Sequence, residues 1–160
     1  MGALKDIWSR MWRALWHDRR EEVLRLLCRE YLTQLKDAIQ FRRHAEQMRY
    51  PHFRDKLLRI AEAEEKHAGT LKRRILALGG EIPKISPTPE EGWNNWEELR
   101  LDLDDERQRF WNLEGQLPMV ERVDSETATV LRHILEDEKK HHEAIVGMLM
   151  RSDPQAAAIA

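Results

Sequence analysis

The sequence predicts an all-α fold: a four-helix bundle of two antiparallel pairs joined by a long crossover, preceded by an extra amphipathic helix. Three observations carry this. Apolar residues recur at steps of three and four through four long segments. Capping and breaking residues fall between those segments. Two of the three connections are short and the middle one is long. With 41% hydrophobic and 35% charged residues, and few Gly and Pro, the composition is that of a mostly helical globular domain.

The first segment spans residues 4–16. Leu4, Trp8, Met11 and Leu15 mark one face, with Trp12 and Trp16 beside it. Asp18, three residues before Glu21, resembles a capping box and predicts a fresh helix start. The next apolar line is Leu24, Leu27, Tyr31, Gln34, Ala38, Phe41, Ala45 and Met48. Tyr50-Pro51 breaks it, and Pro51 suits the first position of another helix. That helix carries Phe53, Leu57, Ile60, Glu64, His67, Leu71, Ile75 and Leu78, and Gly79-Gly80 stops it.

EIPKISPTPEEG follows. Thr88, Pro89 and Glu91 read as a second capping box, opening a helix along Trp96, Leu99, Leu103, Glu106, Phe110, Leu113, Leu117 and Val120. Asp124-Ser125 offers an N-cap for the last helix, with Val130, Ile134, Glu138, His141, Ile145 and Met148. Asp153-Pro154 ends it, before a frayed tail. The middle connection, read as about ten to thirteen residues, reaches roughly 35–45 Å extended. A 25-residue helix is about 38 Å long, so the connection can cross the bundle lengthwise. The predicted divisions are 1–17, 18–151 and 152–160.

The net charge of −2 gives no global field for nucleic acid. The single Cys28 allows neither an internal disulfide nor a cysteine-rich metal ribbon. No apolar run approaches the roughly 20 residues that span a bilayer. The N-terminal segment is too charged for a signal core, and Asp6 breaks the myristoylation pattern. A cytoplasmic location is the expectation.

Chemistry concentrates in the polar members of the apolar lines: Gln34, Glu64, His67, Glu106, Glu138 and His141. Glu and His three residues apart share a helix face, so both can reach one ion. Glu64–His67 and Glu138–His141 form a weak internal repeat. Each has a plainer reading alone. Glu64–His67 fits a solvated pair, Glu106 a snorkelling carboxylate, and Gln34 a hydrogen-bonded core amide. Glu138–His142 and Asp137–His141 are geometric alternatives. Jointly, three core-facing carboxylates demand positive charge. With no Lys or Arg in the lines above, a pair of divalent cations is the natural candidate. Iron or manganese suits the ligands, zinc is possible and copper is less apt.

These residues resemble the ferritin-like superfamily, most closely bacterioferritin and rubrerythrin. EEKHAGTLKRRILALGGEIP is similar to the family's second helix and exit. LRLDLDDERQRFWNL is similar to the bacterioferritin third helix, and DEKKH to the fourth-helix Glu-x-x-His. QLKDAIQFRRHA resembles the first-helix segment, with Gln34 in place of a metal glutamate.

The resemblance implies a site of Gln34, Glu64, His67, Glu106, Glu138 and His141 holding two iron ions. In it Glu64 and Glu138 bridge, each histidine caps one ion, and residues 34 and 106 are terminal. It also implies oxidation of ferrous iron by oxygen or peroxide.

Departures follow from the same comparison. Gln34 offers one neutral oxygen. Glu65 stands where the haem methionine would be, so no haem is expected. No rubredoxin-type electron donor is present. Only about ten residues follow the last helix, which favours a homodimer over a 24-subunit shell. The Trp8, Trp12, Trp16 stripe, with five Lys/Arg against two Asp in the first twenty residues, suits a peripheral membrane or protein partner. It better suits a fifth helix packed on the bundle or across a dimer, because a stripe that wide needs burial. The competing function is a non-catalytic interaction or assembly protein with a degenerate site.

Overall fold

The computed structural model describes the backbone of residues 2–152 and the side chains of residues 16–152. It contains α1 (Gly2–Gln47), α2 (Pro51–Ala77), α3 (Asn95–Val123) and α4 (Ser125–Leu149). α1 packs on α2 and α3, and α4 on α3 and α2. This is the predicted all-α bundle of two hairpins with a crossover.

The core has two apolar halves. One holds Leu27, Leu71, Ile75, Leu113 and Leu131. The other holds Phe41, Phe53, Leu57, Leu99, Ile145 and Met148. Full burial of each such side chain stabilises by about 1.5–3 kcal/mol. α2 ends in the first half and α3 begins in the second, so the chain from Leu78 to Asn94 runs the length of the bundle. That places α3 parallel to α2.

Local signals explain most of the boundaries. Pro51 occupies the first turn of α2. At the far end the Gly80 N–H donates to the Ile75 carbonyl and the Gly79 N–H to that of Leu76, both at 2.9 Å. These two bonds form a Schellman stop. Gly79 has φ of +73°, which favours glycine. A Cβ on Gly80 would lie 2.7 Å from Leu24 Cδ2. Asp124 both closes α3 and opens α4.

Three expectations need correction. The fresh start at Asp18 is absent, because α1 is helical from Gly2 to Gln47. No helix breaker stands near Asp18, and a capping pair alone does not interrupt a helix. The third helix begins at Asn95 rather than after Thr88-Pro89. Asn94 accepts the Glu97 N–H at 2.9 Å, while Glu90 is held extended against α1. The core face of α3 is also turned: Asp102 and Arg109 are buried, while Leu103 and Phe110 sit half-buried beside it. The side chains of Trp8 and Trp12 and the tail from Asp153 onward lie outside the described residues; Trp16 is exposed. Among the described residues no helix is long and apolar enough to cross a membrane.

Candidate metal centre

Between the two apolar halves each helix contributes two side chains three residues apart. They are Gln34 and Asp37 on α1, Glu64 and His67 on α2, Glu106 and Arg109 on α3, and Glu138 and His141 on α4. Such pairs share a helix face, so all eight converge on the bundle interior. Seven are buried and His67 is half-buried.

Four of them offer ligand atoms all within 4.8 Å of one another: Glu64, Glu106, Glu138 and His141. His141 Nδ1 lies 2.8 Å from Glu64 Oε1, 3.7 Å from Glu138 Oε2 and 3.9 Å from Glu106 Oε1. Yet His141 Nδ1, both oxygens of Glu64 and of Glu106, and Glu138 Oε2 make no hydrogen bond. Buried polar atoms are ordinarily paired. Donor atoms that crowd together without aligning on each other could hold an ion at a common point. The donor set, three carboxylates and an imidazole, fits iron, manganese or zinc. The histidine proton must leave when an ion binds.

Gln34 and His67 stand beside this group. The Gln34 amide donates from Nε2 to Glu138 Oε1 at 2.9 Å, and its Oε1 faces His67 Nδ1 at 3.1 Å. His67 Nε2 faces Asp137 Oδ2 at 3.3 Å. Asp137 therefore serves His67 and Lys140 rather than the Asp137–His141 alternative, and His142 lines a surface cleft.

The expectation that no Lys or Arg faces the carboxylates is overturned. Arg109 is buried with them, its Nη1 donating to Glu138 Oε1 at 2.9 Å and its Nη2 lying 2.5 Å from Asp37 Oδ2. Glu64 and Glu106 are each 3.8 Å from the guanidinium. Arg109 and Asp37 escaped the sequence reading because Phe110 and Ala38 compete for the same turns as apolar core residues. The available signal was Glu106-x-x-Arg109, which repeats the spacing of the two Glu-x-x-His motifs.

Burial and charge split the acids apart. Burial and the charge of Glu138 drive Glu106 well above its ordinary range. Burial also acts on Glu138, but the Arg109 charge, with His141, Glu106 and Gln34, outweighs it and holds Glu138 well below. Burial raises Asp37 to about 8 despite Arg109. For His141 burial opposes the charge, but the Glu138 and Glu64 carboxylates raise it to about 9.

Two clefts reach the centre. One of about 340 Å³ is lined by Glu106, Phe110, Trp111, Lys139 and His142, among others. A second of about 210 Å³ reaches Asp37 and Arg109 past Glu30 and Lys36.

The model of one protein family, the ferritin-like domain, matches residues 25–151. Among solved structures, the bacterioferritin BfrA of Mycobacterium tuberculosis superposes with a TM-score of 0.74 at 25% identity. The match covers 81% of this chain and 84% of that one. A mycobacterial bacterioferritin gives the same score and identity over 81% and 83% of the two chains. No curated protein matches the sequence.

Proposed function

The chain belongs to the ferritin-like domain family, and from that premise we propose that it binds ferrous iron within the bundle and oxidises it with oxygen or peroxide. The observation that carries the reading is the group of unpaired ligand atoms on Glu64, Glu106, Glu138 and His141. Manganese and zinc are the competing ions. Ferrous iron bound there supplies one electron per ion to the oxidant.

The residues supply the rest. Glu64 presents Oε1 to the His141 side and Oε2 towards His67, 3.5 Å away. The Arg109 charge outweighs burial and favours the ionised form of Glu138, while burial favours the protonated form of Glu106. The apolar halves above and below limit water. The cleft beside Glu106 is a route for ion and oxidant.

The test is an anaerobic ferrous titration followed by oxygen or peroxide, reading bound iron and ferric absorbance. Saturable binding, ferric product and loss of both in Glu64→Ala and Glu138→Ala are expected. No iron bound at micromolar concentration would end the reading.

A second reading, a non-catalytic bundle, draws on one observation: Arg109 already neutralises part of the acidic charge. Its signature is that same absence of iron. We further assign residues 1–17 to partner or dimer contact, and the assembly to a homodimer. Truncation of residues 1–17 with measurement of solution mass tests both.

A further inference from the structure

We propose that the centre takes a single divalent ion per chain, held by Glu64, Glu106, Glu138 and His141, with the Arg109 guanidinium filling the second cation position. This rests on the iron-binding reading above and concerns how that site is occupied.

A carboxylate that bridges two ions gives one oxygen to each. Here Glu138 Oε1 accepts from Gln34 Nε2 and from Arg109 Nη1, both at 2.9 Å. A carboxylate oxygen has about two acceptor directions, so Oε1 is fully used. Oε2, on the His141 side, has no hydrogen bond. One half of the carboxylate is free for an ion and the other is taken by protein donors.

His67 gives the same answer. Its Nδ1 faces the Gln34 amide oxygen and its Nε2 faces the Asp137 carboxylate. Each ring nitrogen is therefore already engaged by a protein side chain. The amide cannot turn over to change this, because its Nε2 is committed to Glu138.

Arg109 closes the position. Nη2 beside Asp37 and Nη1 on Glu138 tie it between α1 and α4. Its charge is fixed, because guanidinium does not lose its proton in proteins. An ion on that side would meet a like charge, with Glu64 Oε2, 3.8 Å from Nη1, left as an oxygen without a hydrogen bond. The three residues are therefore mutually consistent: a neutral amide at 34, an anchoring acid at 37 and a cation at 109.

Apo protein is titrated anaerobically with Mn²⁺ and, separately, with ferrous ion, reading ions per chain by equilibrium dialysis and spin coupling by electron paramagnetic resonance. Wild type is expected to bind one ion, with the six-line spectrum of isolated Mn²⁺. The double variant Gln34→Glu/Arg109→Gln is expected to bind two, with a spin-coupled spectrum. Arg109→Lys is expected to stay at one.

Two coupled ions in wild type would overturn the inference and leave the iron-binding reading standing. No ion in wild type would end both. A double variant that is folded by circular dichroism yet still binds one ion would remove Arg109 from the explanation. If that variant does not fold, the wild-type count and spectrum decide.

Discussion

Two polar clusters interrupt the core, a few turns apart, and they are built on opposite rules. In the first, Gln40, His44 and Asp102 lie buried between α1 and α3. Gln40 Nε2 donates to Asp102 Oδ1 at 2.9 Å, and His44 Nδ1 lies 3.0 Å from Oδ2. Gln40 Oε1 accepts the Glu90 N–H at 2.9 Å, and His44 Nε2 faces the Glu90 carbonyl at 3.3 Å. None of the three side chains has an unpaired buried atom. Their task is complete within the chain: they latch the crossover onto the bundle. The second cluster, at Glu64, Glu106, Glu138 and His141, leaves six atoms unpaired. A buried polar group that finds its partner stabilises the fold. One that does not costs stability until a partner arrives.

That contrast can be broken by mutation. The largest effect is expected from Asp102→Leu, which strands His44 and Gln40 and should cost about 3–5 kcal/mol in urea unfolding. Ion stoichiometry should be unchanged. A variant that loses ion binding while remaining folded would join the two clusters into one functional unit.

Next, divalent metal at 100 times its dissociation constant should stabilise wild type by about 2.7 kcal/mol. Glu138→Ala should gain nothing. The readout is the unfolding midpoint with and without chelator. Equal gains in both proteins would mean the ion binds elsewhere.

Replacing an unpaired acid should act in the reverse sense to breaking the latch. Glu106→Leu removes two unpaired oxygens, so the metal-free protein should gain about 1 kcal/mol. The ion-induced gain should disappear. A loss of stability in the metal-free variant would show that Glu106 is structurally engaged.

The smallest effect concerns a cluster outside the core. Asp124 is bound by Arg74 and Thr127. Burial pushes its carboxyl up slightly, but those partners outweigh it and hold the pKa below the ordinary value. A depressed folded pKa stabilises above the unfolded value, near 3.9, and the gain is lost as pH falls through the folded one. Asp124→Asn should therefore cost about 1 kcal/mol at neutral pH, shrinking towards zero below about pH 4. A pH-independent cost would make it steric.

The sequence made most of this centre legible and hid its decisive member. Glu64, Glu106, Glu138 and His141 stood out because each breaks an apolar line at the core-facing step. Gly79-Gly80 and Pro51 announced their turns because glycine and proline restrict the backbone locally. Arg109 stayed hidden because Phe110 follows it, and a helix face wide enough for both gives the apolar residue the stronger claim. Which one enters the core was decided by Asp37 and Glu138, on other helices. The start of α3 was misplaced for a similar reason. Thr88-Pro89 is a sound local signal, but Gln40 and His44 hold Glu90 extended from across the bundle.

The corner at Asp124 has a consequence for tolerated change. Glu106 stands eighteen residues before it and His141 seventeen after; Arg109 stands fifteen before and Glu138 fourteen after. The two arms therefore meet rung by rung, His141 opposite Glu106 and Glu138 opposite Arg109. No spare loop residue exists to absorb slippage. One inserted residue in either arm would advance its ligands by about 1.5 Å and turn them by about 100°. An equal insertion near Ser86, in the long crossover, would leave every rung in place. The length of this chain is thus fixed where the hairpin folds on itself and negotiable where it travels farthest.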